Sequence, residues 1–397
     1  MPVQGQSFDL LIKGGHVIDP KNEINAPMDV AIHDNVIAKV SGHIPAADAE
    51  KVIDATGYYV TPGLIDIHAH VFAGSRTGMF ADGFNSVDPD DFSFRTGVTT
   101  IVDAGTSGWR NFPLFKENVI DHSRTRVLAF LNIRGEGLTT GSGTYDIDDM
   151  DIEKALSVIE EYPDFIVGSR VGHYLGNSRV PIDHAIEVAR RANKPMLLEC
   201  HLPQYPLEEL LEKMSTGDIF THAFGDVHDR TSILDENNRI RDYVLAAQQR
   251  GILFDVGHGG SSFHYSVAFP AMEQGLIPDS FGTDLHRFSM NSGMKNMLNI
   301  MSKYLNMGMS LDDLILRATW KPAQSIQRDD LGHLSEGAVA DVTILSMQRG
   351  QFGFLDADGY RLNGDRKLEA ELTVREGRIV WDLNGISAPL WNEEEQP

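Results

Sequence analysis

Residues 63–70 read Gly63-Leu64-Ile65-Asp66-Ile67-His68-Ala69-His70. A short apolar run that ends in two histidines one residue apart reads as a β-strand with chemistry at its end. Side chains alternate along a strand, so both imidazoles point to the same side. Two histidines against a helix layer would make a costly core, whereas two at the mouth of a barrel are half a metal site.

Downstream of this strand, which spans 64–71, similar runs recur at 99–104, 127–133, 165–171, 196–201, 219–223, 253–256 and 280–285. Helical patterns lie between them. In 181–192, Pro181 opens the segment, and Ile182, Ala185, Ile186 and Ala189 follow at helical spacing. Residues 206–213 and 240–250 behave alike. Eight strand–helix units over about 260 residues predict an α/β fold, a (β/α)8 TIM barrel spanning 61–331. Both flanks read differently. Short β-branched runs broken by Gly, Pro and Asn fill 1–60, and the same pattern returns in 332–397. These N- and C-terminal segments are expected to meet as one small β-sandwich domain, because either sheet alone would expose an apolar face.

Composition narrows the chemistry. The 397 residues carry 34 Lys+Arg against 57 Asp+Glu, a net charge of −23, which argues against nucleic-acid or anionic-membrane partners. A single cysteine rules out an internal disulfide and any multi-cysteine metal site. A metal would have to be held by His and carboxylates. No run reaches the ~18 apolar residues of a membrane span. The start lacks a basic-then-apolar leader, so a cytoplasmic location is expected, or a periplasmic one if a leader was trimmed.

In a barrel of this kind the active site lies at the C-terminal strand ends. There the sixth run ends in Thr221-His222-Ala223 and the eighth in Thr283-Asp284-Leu285-His286. With His68 and His70, His222 and Asp284 make a His/His/His/Asp set suited to zinc, with manganese or iron as alternatives. A divalent ion lowers the pKa of bound water to ~7 and so supplies hydroxide at neutral pH. Asp284 would take the proton and later deliver it to the leaving group.

The Leu11-to-Asp19 stretch, residues 61–70 and the Gly332-to-Val342 stretch resemble, in this order, three motifs of the amidohydrolase superfamily. Phe254-Asp255-Val256-Gly257-His258-Gly259, Leu131-Asn132-Ile133 and 283–286 are similar to its dihydroorotase-like amidohydrolase/deacetylase branch. The resemblance covers nearly the whole chain. It implies one or two bound divalent ions and attack of hydroxide on a carbonyl. By analogy it also implies a homo-oligomer.

Two positions depart from that pattern. Where binuclear members carry a carboxylated lysine on strand four, this chain has Arg170, whose guanidinium is a poor candidate for a carbamate. Where they carry a histidine on strand five, it has Glu199, with His201 two residues on. In one reading Glu199 bridges two metals and His201 takes the vacated histidine role. In the other, Glu199 and Arg170 form an ion pair beside a one-metal site. An unpaired Arg170 would suit a substrate carboxylate. His258 could polarise a substrate carbonyl or anchor its loop, and His286 could support Asp284 or touch substrate. His173 is a weaker candidate, and Cys200 reads as a buried thiol. The Met cluster within 290–309 reads as core or a subunit contact.

The expected function is metal-dependent hydrolysis of a small acylated carboxylate, either an N-acyl amino acid or an O-acyl hydroxy acid. A cyclic amidohydrolase is the alternative. A deaminase is weakened by Gln204, which cannot act as the acid of a His-x-x-Glu motif. A catalytically silent barrel is the reading from another class.

Overall fold

The computed structural model describes residues 7–73, 86–138, 147–172, 174, 176–199, 205–226 and 230–391. The N-terminal strands are β1 (Phe8–Asp19), β2 (Ile24–His33), β3 (Val36–Ser41), β4 (Ala49–Asp54) and β5 (Tyr59–Pro62). The central strands are β6 (Leu64–Ala69), β7 (Val98–Gly108), β8 (Arg126–Asn132), β9 (Ile166–Val171), β10 (Met196–Leu198), β11 (Ile219–Phe220) and β12 (Leu253–Phe254). The chain ends with β13 (Val342–Leu355), β14 (Arg361–Arg375) and β15 (Arg378–Asp382).

β6 to β12 form one seven-stranded sheet in sequence order, every neighbouring pair parallel. Helices over Ile152–Glu161, Val180–Ala192, Leu207–Lys213, Asp242–Gln249 and Tyr265–Glu273 connect its later strands. This is an α/β fold with a parallel sheet curved about its own core. Ile65, Ile67, Val102, Ala104, Leu128, Phe130, Val167, Leu197 and Ile219 make up that inner core, closed below by Ala323, Ile326 and Leu331. Met294, Met297 and Met301 are buried in the larger core outside it, as the helical spacing suggested.

The eighth expected run is not a ladder strand. It makes two isolated parallel bridges, Ser280 to Asp255 and Leu285 to Ala69 in β6. Side chains have taken its backbone donors. Gly282 N donates to Asp255 Oδ1 at 2.8 Å and Thr283 N to Asp66 Oδ1 at 3.0 Å. Its carbonyls still accept, from Val256 N, His258 N, Gly259 N and His70 N. A regular ladder cannot form where carboxylates replace the neighbouring strand's carbonyls.

The terminal segments form one continuous mixed sheet in the order β15-β14-β13-β5-β1-β2-β3, with β4 on β1. The expected sandwich is therefore a single hydrogen-bonded sheet with its own apolar core. Its join is β5, parallel to β1 and antiparallel to β13. One residue later the chain enters β6, so this sheet sits directly beneath the first site strand. Residues 10–12 and 16–18, two short β-branched runs of the N-terminal segment, are one strand, β1, with a register shift against β2 between Ile12 and Gly15. No helix among the described residues is long and apolar enough to cross a membrane.

Arg126, at the start of β8, ties the two sheets. It pairs with Asp341 through one guanidinium nitrogen and with Glu376 through the other at 3.0 Å. The side chains of Arg126 and Asp341 are 11% and 8% exposed, so removing the cation leaves a buried carboxylate uncompensated. Arg126→Met is expected to cost about 3–5 kcal/mol, read from urea unfolding. An unchanged midpoint would mean that the two sheets are held together without it.

Candidate metal centre

Strict alternation along β6 would turn His68 away from the inner core that holds Ile65 and Ile67. The structure avoids this with a bulge. β6 shifts register against β7 between Asp66 and Ala69. The extra residue re-aims the strand end, a common use of bulges beside active sites. His68 and His70 then sit side by side, ring centroids 5.7 Å apart, and the His222 ring lies 5.0 Å from His68.

Asp284 completes the cluster. Its Oδ1 lies 3.2 Å from His70 Nε2 and 3.6 Å from His68 Nε2. Ligand atoms of His68, His222 and Asp284 all fall within 4.8 Å of one another. His222 and Asp284 have left-handed backbones, φ 58° and 50°, where non-glycine residues are uncommon. The surrounding hydrogen bonds hold that strain at the site. Asp284 N donates to His68 O at 2.6 Å, so the two ligand-bearing segments are bonded directly.

Hydrogen bonds also select the tautomers. Thr221 Oγ1 donates to Asp255 Oδ2 at 2.7 Å, so at 2.8 Å it accepts from Nδ1–H of His68. The lone pair of His68 Nε2 is then left facing Asp284. Burial lowers the His68 pKa to about 4, against the pull of Asp255 and Asp284, so this imidazole is neutral at pH 7. His70 Nδ1 is held by Thr106 Oγ1 at 2.8 Å. Burial by itself would raise the Asp284 carboxyl. The hydrogen bond from His70 and the surrounding imidazoles outweigh it and hold Asp284 far below the ordinary carboxylate range. A neutral imidazole with a free Nε2 beside an ionised carboxylate is the donor set a divalent ion requires, and the residues fit one.

Glu199 lies at the site, as expected. Its Oε2 accepts from Arg170 Nη2 at 3.0 Å and meets His222 Nε2 at 2.7 Å. His222 Nδ1 donates to Gly257 O at 2.6 Å, which directs Nε2 at Glu199. Arg170 Nη1 lies 3.3 Å from His68 Nε2. The geometry thus matches the ion-pair alternative for Glu199. Arg170 is 1% exposed and paired, so it is not placed to grip a substrate carboxylate.

Of the two readings of His258, the geometry is that of the loop anchor. This residue is fully buried, stacked on Phe263 at 4.7 Å, and its Nε2 accepts from Lys303 Nζ at 2.5 Å. It is a loop anchor and presents no nitrogen to a substrate. His286 is at the site, its Nε2 3.9 Å from Asp284 Oδ2. His201, His173, Cys200 and Gln204 lie outside the described residues.

Thr106, Thr221 and Asp255 hold the His68 and His70 imidazoles, a role that sequence reading did not assign them. Their only signal was position, each at or just beyond a strand end. Asp255 is fully buried. Burial would raise its carboxyl, but hydrogen bonds from His68, Ser280 and Thr221 hold it below the usual range.

Comparison with known proteins agrees with this geometry. The profile of the Amidohydrolase family matches residues 59–361. A protein named deacetylase from Agrobacterium fabrum is 32% identical over 333 residues, covering 82% of this chain and 80% of that one. Another named deacetylase, from Enterococcus faecalis, is 29% identical and covers 94% of this chain and 99% of its own length. Among solved structures, an adenine deaminase matches with a TM-score of 0.85 at 29% identity, covering 95% of this chain and 100% of that one. A dihydroorotase matches at 0.81 and 29% identity, covering 94% and 99%.

If Thr106 orients His70 as a ligand, Thr106→Val removes the orienting hydroxyl at nearly constant volume. Divalent-ion affinity should then fall about 10–100-fold in competition with a chromophoric chelator. An unchanged affinity would show that His70 needs no such support.

Proposed function

Because the chain belongs to the amidohydrolase family and is a hydrolase, we propose that it cleaves the amide or ester carbonyl of a small acylated carboxylate, as a metal-dependent deacetylase. The observation that carries this reading is the convergence of His68, His70, His222 and Asp284, with Asp284 Oδ1 3.2 Å from His70 Nε2. The relatives named deacetylase favour acyl transfer to water over ring deamination.

A divalent ion held by His68, His70, His222 and Asp284 supplies a Lewis acid and a nucleophile at neutral pH. The chain's own residues do the rest. Thr221 holds His68 in the tautomer that leaves Nε2 unprotonated, and Thr106 fixes the orientation of His70 through Nδ1. Asp284 accepts the proton of the attacking water on a carboxylate oxygen and returns it to the departing nitrogen or oxygen. Its position between His70 and His286 fixes the direction of that transfer. The substrate is a small molecule. Arg287, exposed one residue after His286, is a better carboxylate partner than the buried Arg170. We also read residues 61–331 as a closed (β/α)8 barrel, supported by the bridges from Ser280 and Leu285 to either end of the parallel sheet. Residues 1–60 and 332–397 then form the second domain.

A cyclic amide is the second reading. It is favoured by the TM-score of 0.81 to a dihydroorotase structure at 29% identity.

The deciding measurement is a hydrolysis screen of N-acyl amino acids, O-acyl hydroxy acids and cyclic amides with zinc, manganese or iron supplied. Turnover of an acylated carboxylate supports the proposal, and turnover of cyclic amides alone replaces it with the second reading. With the active substrate, Asp284→Asn should lower kcat by about 10²–10⁴-fold. A chelator should abolish the rate, and added divalent ion should restore it. Persistence of the full rate after metal removal would sink the metal-dependent reading.

A further inference from the structure

We propose that Arg170 is a fixed cation standing where a second metal ion would stand, so that this site holds one divalent ion per chain. The inference rests on the metal-hydrolase reading above and adds the number of ions and the reason for it.

The Arg170 guanidinium lies inside the cluster. One nitrogen is 3.0 Å from Glu199 Oε2 and the other 3.3 Å from His68 Nε2. Both side chains of the pair are essentially without solvent contact, at 1% and 0% exposure. The backbone has been cleared to seat them. Gly105 has φ +74°, and a Cβ there would meet Arg170 Cδ at 2.7 Å and its Cβ and Cγ at 3.2 Å. A Cβ on Gly172 would collide with the Glu199 carboxylate in the same way. Glycines on two different strand ends therefore make room for this ion pair.

Guanidinium does not give up its proton in a protein, so this charge stays at any working pH. Among the described residues, Glu199 and His222 are the groups a second ion could recruit. They already converge on one carboxylate oxygen, which Arg170 also holds. A dication there would have to sit against the guanidinium and compete with it for Glu199. His68, His222 and Asp284, whose ligand atoms lie within 4.8 Å of one another, remain with His70 for one ion.

The test counts ions. Chain stripped with chelator is dialysed against Zn2+ alone, and zinc per chain is read by elemental mass spectrometry. Native protein should hold one zinc. Arg170→Gln keeps an amide donor for Glu199 but removes the charge, and it should hold two. Two zincs on the native chain would overturn the inference and leave the metal-hydrolase reading standing. One zinc on both proteins would also overturn it, since Arg170 would then exclude nothing. No zinc on the native chain would overturn both. Should Arg170→Gln fail to fold by circular dichroism, Glu199→Gln decides in its place. A retained single zinc supports the inference, and its loss would make Glu199 a ligand and overturn it.

Discussion

The site depends on one buried carboxylate. Asp255 has no solvent contact, and a charge in that position survives only if every lone pair is answered. It accepts from Ser280 Oγ at 2.6 Å, Gly282 N at 2.8 Å and Thr221 Oγ1 at 2.7 Å, and it faces His68 Nδ1 at 3.4 Å. These partners come from the ends of β6 and β11 and from the eighth segment. A single side chain thus draws three segments together, and those segments carry His68, His222 and Asp284. It also explains why residues 280–285 form bridges in place of a ladder. Two of their donors, Gly282 N and Thr283 N, are committed to Asp255 and Asp66.

The same economy of backbone runs through the junction with the second sheet. β5 belongs to the terminal sheet and β6 to the parallel one, with only Gly63 between them. A strand that changes sheets in one residue locks the two together at the first site strand. Arg126 repeats the connection from β8 with charge. Beyond the mouth, the hairpin of β13 and β14 lies on the helix Met297–Asn306, where Leu368 N donates to Ser302 Oγ at 3.0 Å.

Much of this was legible beforehand. The parallel strands through β12 were readable because buried strands are near-continuous apolar runs bounded by turns. Helix Val180–Ala192 was readable from Pro181 and its apolar spacing. His68, His70, His222 and Asp284 were readable because strand-end position and residue type together restrict what they can do. The burial of His258 was not, since a Gly-rich turn beside a strand end reads as exposed. Lys303 and Phe263, which hold it, lie tens of residues away in sequence and carry no local signal.

By itself the sequence determined the elements and the chemical inventory, because hydrophobic period and side-chain chemistry are local properties. It named the histidines, the aspartate and the odd pair of Arg170 and Glu199. Only the tertiary structure decided which way they face. The bulge in β6 turns His68 inward, against the alternation that Ile65 and Ile67 set up. The approach of β9 to β10 turns Arg170 from a substrate grip into the partner of Glu199. Both outcomes depend on register and on burial, which arise only between strands distant in sequence.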